Sequence, residues 1–215
     1  MAYKLFIFDF DGTLVDTLAD IVHYVNSVLD DQGLPKCSVE QVKNAIGLGV
    51  HELFKGVAPS LTADPGRLEK AVGLFKKRYR EKPVRQSRAF PHVENLLART
   101  LAGSKKAIIT NKPEDITLMI LDKLKLRRYF DGVIGMNAGH PPKPDPASMF
   151  FIMKKFKIPA AHTVYIGDSR IDAETCRNAG VDFVWMSYGY DGFGAFNPRH
   201  QFSSARQIGA LLKNS

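Results

Sequence analysis

Lys4 to Thr17, read KLFIFDFDGTLVDT, passes from an unbroken apolar segment into carboxylates, glycine and hydroxyls. Four consecutive large apolar residues, Leu5 to Phe8, are the pattern of a strand covered on both faces, as in a parallel sheet between helices. Asp9 and Asp11 follow at its carboxyl end, the edge at which open parallel sheets bind ligands. Two carboxylates two residues apart, flanked by Phe8 and Phe10, repel each other and resist ionising unless a divalent cation neutralises them. Gly12 lets the backbone turn closely past a ligand, and Thr13 adds a hydroxyl with an accessible amide. The grouping suits a phosphate held against a metal. Asp-Gly alone would read as an ordinary turn, but an acid placed directly after an apolar strand needs a partner.

Working outward from this strand, the spacing after Thr17 becomes helical. Leu18, Ile21, Val22, Val25, Val28 and Leu29 fall on one face up to Gly33. Ser38 and Gln41 form a capping-box pattern ahead of a second helix. Gly47-Leu48-Gly49 ends it, a third helix is expected over 50–57, and Asp64-Pro65 opens a fourth that runs to residue 81. From Pro91 onward helix and strand alternate: helix 91–102, strand 106–110, helix 114–125, strand 132–135, helix 146–156, strand 163–166, helix 170–179, strand 181–185 and a last helix over 205–212. Such alternation implies right-handed crossovers and a parallel sheet. The expected architecture is α/β, a Rossmann-like three-layer core with a central parallel sheet, formed by residues 1–15 and 86–215. An all-helical insertion at 16–85 makes that core discontinuous.

Three later strands also end in polar residues. Thr110-Asn111-Lys112-Pro113 offers a hydroxyl and a following backbone amide that can donate to a phosphate oxygen, or else a helix cap. Pro141-Pro142-Lys143-Pro144-Asp145-Pro146 fixes the backbone around one lysine. Val164-Tyr165-Ile166-Gly167-Asp168-Ser169 delivers an acid past a glycine, and Asp172, four residues later, can approach the same centre if a helix begins near Ser169.

The pattern Asp9-x-Asp11-Gly12-Thr13 after an apolar strand resembles the first motif of the haloacid-dehalogenase-like phosphohydrolases. LVDT and LADIVHYVNSVL are most similar to the phosphoglycolate-phosphatase branch. Thr110 stands where that family's second motif has Ser or Thr, Lys143-Pro144-Asp145-Pro146 matches the third, and Gly167-Asp168-Ser169 with Asp172 matches the fourth. The resemblance covers essentially the whole chain. It implies a phosphomonoester hydrolase in which Asp9 is the nucleophile and Asp11 the general acid and base. Mg²⁺ would be held by the carboxylates of Asp9 and Asp168 and the backbone carbonyl of Asp11, with Asp172 organising those ligands. Gly12, Thr110, Asn111 and Lys143 would hold the phosphate, and the helical insertion would be a cap that closes over it. His92 stands where the branch commonly carries Gly, and Arg170 where smaller or uncharged residues are common. His23 and His51 are assigned no role. A small phosphorylated metabolite such as 2-phosphoglycolate is the implied substrate. A sugar-phosphate mutase, a pyrophosphatase, a phospho-receiver and an inactive scaffold are the alternatives.

Composition adds bounds. Among 215 residues, 45% hydrophobic and 24% charged content is that of a globular chain with one substantial core. A net charge of +8 invites nucleic acid as a partner, but the basic runs at 75–82, 123–130 and 154–157 lie in helix-like segments as solvated faces. No nucleic-acid partner and no membrane partner is expected, and the protein should be a monomer or homodimer. Cys37 and Cys176 lack metal-ligand spacing, and the N-terminus enters a strand at once without a leader pattern, so a cytoplasmic location is the expectation.

Overall fold

The computed structural model describes residues 3–191 and 200–212. The chain opens with β1 (Leu5–Phe8), turns tightly on the Phe10 carbonyl, which accepts from the amides of Leu14 and Val15, and enters β2 (Val15–Asp16). Four helices follow: α1 (Leu18–Asp31), α2 (Val39–Ala45), α3 (Val50–Val57) and α4 (Pro65–Glu81). Ser38 and Gln41 form the expected capping box on α2, and Asp64 caps α4 ahead of its N-terminal proline. Between the helices Tyr24, Phe54, Phe75 and Tyr79 pack ring against ring.

The chain leaves this helical layer through β3 (Arg88–Ala89), antiparallel to β2 with Val15 opposite Ala89. Neither two-residue strand was expected, because so short a ribbon carries no periodicity. Beside it, the buried carboxylate of Asp20 accepts from the amides of Arg85, Gln86 and Ser87 at 3.0, 2.9 and 3.0 Å, and from Ser87 Oγ at 2.5 Å. The two crossings are thereby fastened together.

The expected helix over 91–102 is only α5 (Val93–Asn95) continued as a π-helical turn, Leu96–Thr100. Then come β4 (Lys105–Pro113), α6 (Glu114–Lys123), β5 (Gly132–Met136), α7 (Ala147–Phe156), β6 (Thr163–Gly167), α8 (Arg170–Ala179), β7 (Asp182–Met186) and β8 (His200–Phe202). The last expected helix is a 3₁₀ segment, Ala205–Leu212, and β8 is an edge strand that the pattern did not signal. All pairs of the six-stranded sheet, order β5-β4-β1-β6-β7-β8, are parallel.

Alternation along the strands builds the two sides of the core. Phe6 and Phe8 of β1, with Ile108, Val164 and Ile166, face Val93, Leu97, Ile116, Ile120 and Ile208. Leu5 and Ile7, with Ala107, Ile109 and Tyr165, face Met149 and Ile152 of α7 and Cys176 and Ala179 of α8. Both faces are covered, which is why β1 reads as an uninterrupted apolar run. No helix among the described residues is long and apolar enough to cross a membrane.

Candidate active site

The three central strands, β4, β1 and β6, are neighbours in register, with Phe8 opposite both Ile108 and Ile166. Whatever follows each strand is therefore delivered to one edge, about 5 Å from the next. From β1 comes Asp9, from β6 Asp168, and from the first turn of α8 Asp172. One carboxylate oxygen from each lies within 4.8 Å of the others, and all three residues are buried. Ser169 and Asp172 close a capping box at the start of α8. Asp172 Oδ2 accepts from Ser169 Oγ at 2.7 Å, and its Oδ1 from Tyr165 at 3.0 Å and Lys143 at 2.6 Å.

Asp168 is held by Thr13 Oγ1 at 2.6 Å and the Tyr190 amide at 2.8 Å. Glycine makes room for it on two sides. A Cβ at Gly12, whose φ is +81°, would stand 2.3 Å from Asp168 Oδ2, and one at Gly189 would stand 2.1 Å from Asp168 Cβ. The Gly12 amide itself donates to Val15 O, so the contribution of Gly12 visible here is clearance and the tight turn.

Asp9 is the least satisfied member. Lys143 Nζ stands 3.0 Å from Asp9 Oδ1, yet the approach lacks hydrogen-bond geometry, and that oxygen is buried with no hydrogen bond. Burial first, and the Asp172 charge second, push the Asp9 carboxyl up to about 7 against the opposing Lys143. Burial, then Asp9 and Asp172, hold Asp168 well above the usual carboxylate range. Burial pulls the Lys143 ammonium down, but Asp172 and Asp9 more than reverse it, so it stays protonated. Clustered carboxylates that resist ionising, one with an orphaned oxygen, fit a hard divalent cation bound through oxygen.

The other expected residues lie around this cluster. Thr110 is buried at the end of β4, its hydroxyl accepting from the Lys112 amide at 3.2 Å. The Asn111 side chain binds both the Lys143 backbone, at 2.8 and 3.0 Å, and Gly47 O at 2.9 Å. It thus fastens the loop after α2 onto the core. The Asp11 carboxylate points away from the three-acid cluster and binds Thr17 Oγ1 at 2.5 Å and Lys112 Nζ at 3.1 Å. A cavity of about 630 Å³ opens in front of these groups, closed on its far side by residues 43–56 and by Phe75 and Tyr79. Arg170 lines it, paired with Asp191. His51 pairs instead with Glu69, and His23 packs edge-on to Tyr24.

Lys112, Thr17, Tyr165 and Tyr190 escaped the sequence reading. Lys112 was inside a quoted motif, and its signal was a lysine placed between a strand end and a proline. Tyr165 looks like one more apolar strand residue, and its hydroxyl shows its purpose only once β6 faces Lys143. Tyr190, whose hydroxyl accepts from the amides of Thr17 and Leu18 and so caps α1, had no signal at all.

The model of the haloacid dehalogenase-like hydrolase family matches residues 6–186. The chain belongs to this family. Within the haloacid dehalogenase-like hydrolases, phosphoglycolate phosphatases of Pseudomonas syringae pv. tomato and Pseudomonas fluorescens Pf-5 are 37% and 38% identical to it over 193 residues. Each match covers 87% of this chain and 71% of the relative. A crystal structure of a predicted phosphoglycolate phosphatase from Haemophilus somnus superposes with a TM-score of 0.90 at 28% identity, covering 97% of both chains. This haloacid dehalogenase-like hydrolase is a phosphatase.

Proposed function

We propose that the protein is a Mg²⁺-dependent phosphomonoester hydrolase that works through a phosphoaspartate on Asp9, with 2-phosphoglycolate as the first candidate substrate. The observation that carries this reading is Asp9 Oδ1, buried and without a hydrogen bond beside Lys143 and Asp168. Of the two Asp9 oxygens this one is left without a hydrogen bond, and so keeps a lone pair for attack on phosphorus. The names of the Pseudomonas relatives support the substrate.

In this mechanism Asp9 attacks phosphorus in line with the ester oxygen, the P–O ester bond breaks, and Asp11 gives its proton to the departing alcohol. Asp11 then takes a proton from water, which attacks the same phosphorus. The bond to Asp9 breaks and orthophosphate leaves. Lys143 supplies positive charge to the phosphoryl oxygens, and the Thr110 hydroxyl and the Asn111 backbone amide supply hydrogen bonds. Asp9 and Asp168 would hold Mg²⁺, together with the Asp11 carbonyl, and Asp172 would fix Lys143 behind them. The bound ion neutralises the carboxylates and the phosphate and so lets two anions approach. Residues 16–85 act as a cap over a core of 1–15 and 86–215. Both cysteines are free and buried, as a protein of the reducing cytoplasm would have them.

A panel of phosphate esters assayed with Mg²⁺ and with chelator tests the reading. Turnover should require the metal and be fastest on a small ester. Asp9→Asn should lower it by about 10³-fold or more. Undiminished hydrolysis by Asp9→Asn, or hydrolysis unaffected by chelator, would rule the mechanism out.

A further inference from the structure

Three lysines of the cavity wall, Lys43, Lys55 and Lys112, lie outside the phosphate-binding set. Lys112 lies just beyond Asn111 at the end of β4, its side chain only 5% exposed. Its Nζ is 3.1 and 3.3 Å from the two oxygens of Asp11 and 4.4 Å from the ring centre of Tyr79, so it bridges the core and the helical layer. Asp11 is the group assigned to protonate the ester oxygen. An ammonium that touches both of its oxygens therefore stands next to the group that would face the departing alcohol.

The other cations of the cavity are differently placed. Lys143 is shared by Asp9 and Asp172, Lys55 is paired with Glu52 at 2.7 Å, and Arg170 with Asp191 at 3.3 Å. Lys43, half-buried on α2, lines the same cavity and makes no ion pair among the described residues. Of these cations Lys112 alone contacts Asp11. Its flexible four-carbon stem can re-aim the ammonium without moving the backbone.

We propose that Lys112 recognises a second negative charge on the alcohol part of the substrate, two or three bonds beyond the ester oxygen. That charge draws the ammonium off Asp11 as the substrate docks, leaving Asp11 free to face the ester oxygen. The inference rests on the hydrolase reading above and narrows it to phosphate esters of short hydroxy acids. An ester of a neutral alcohol leaves Lys112 on Asp11 and is a poor substrate.

The test compares kcat/KM for 2-phosphoglycolate with that for ethyl phosphate, which has the same carbon count and lacks the carboxylate. The wild type should prefer the carboxylate ester by about 10- to 100-fold, the worth of a buried charge-assisted contact. Lys112→Gln, which keeps an amide to donate to Asp11, should bring the preference to near one, and Lys112→Arg should retain part of it. Lys112→Met, which keeps the stem packed on Tyr79, is a second uncharged variant should the first fail to fold. Any loss common to both esters, arising at Asp11, cancels in the ratio. In parallel, calorimetric titration with 3-phosphonopropionate and propylphosphonate, in which a methylene replaces the ester oxygen of each substrate, reads the same preference without turnover. A wild type that shows no preference in either measurement, or an uncharged variant that keeps it, overturns the proposal. If neither ester is hydrolysed while 3-phosphonopropionate still binds more tightly than propylphosphonate through Lys112, the hydrolase reading falls and the anion site stands.

Discussion

Lys143 donates to Asp172 across 2.6 Å in a place where the two side chains are only 4% and 0% exposed. Both oxygens of Asp172 are occupied, one by Lys143 and Tyr165, the other by Ser169. Asp172 is therefore better placed to aim Lys143 than to bind an ion. Asp172→Asn, similar in size but uncharged, is expected to lower kcat by about 10- to 100-fold, the usual cost of losing a group that orients a site. Its pH–rate profile should shift as well, because the amide no longer raises Asp9. Wild-type kinetics and an unmoved profile would show that the ion pair is only structural.

Metal dependence of stability follows from Asp9. Burial and Asp172 raise its carboxyl from the ordinary 3.8 to about 7 in the metal-free protein. A folded pKa above the unfolded one means that the stabilisation is full below about pH 4 and is lost as pH rises through 7. Mg²⁺ held at this cluster as proposed would relieve its ionised form, so the effect of the ion on Tm should be larger at pH 8 than at pH 5.5. At a hundred times its dissociation constant the ion should add about 2.7 kcal/mol, or roughly 5 to 10 °C. Thermal scans with Mg²⁺ and with chelator at the two pH values check this, and equal shifts would contradict it.

Asp20 works in the opposite sense. Burial raises its carboxyl, but the Ser87 hydroxyl and the amides of Arg85, Ser87 and Gln86 outweigh it and leave the pKa below the ordinary 3.8. Its contribution is present above about pH 4 and is lost as pH falls through the folded value. Asp20→Ala leaves three amides between β2 and β3 without their acceptor and should cost about 3 kcal/mol at pH 7 by urea denaturation. For Asp20→Asn the deficit should shrink as the pH is lowered toward 3.5. A deficit independent of pH would mean that the carboxylate charge is not what these amides bind.

His92 holds φ at +68°, in the left-handed region, at an exposed position ahead of α5. The resemblance to the phosphoglycolate-phosphatase branch implies Gly as the common residue here, and a left-handed φ favours Gly. His92→Gly should raise stability by about 1 kcal/mol, or roughly 2 to 4 °C in Tm. A lower Tm would show that the imidazole makes up for the strain.

What the sequence determined by itself was local. Leu5 to Phe8, Ala107 to Ile109 and Val164 to Ile166 read as strands covered on both faces, being short apolar runs closed by glycine, acids and hydroxyls. The acids and hydroxyls that follow them had to lie at one edge of the sheet. Ser38, Asp64 and Ser169 announced their helices because capping is settled within four residues. The ribbon of β2 and β3, the π turn after α5 and edge strand β8 were too short or too irregular to leave a period.

Tertiary structure decided which of those groups meet. Lys112 and Asp11 are 101 residues apart, Tyr190 and Thr17 173, and Asn111 and Gly47 64. No periodicity reaches that far. The parallel register of β4 and β1 brings Lys112 to Asp11, the chain beyond β7 folds back to set Tyr190 on Thr17, and the loop after α2 lies down on Asn111. The raised Asp9 carboxyl has the same origin: the fold sets Asp9, Asp168 and Asp172 side by side where little solvent reaches them.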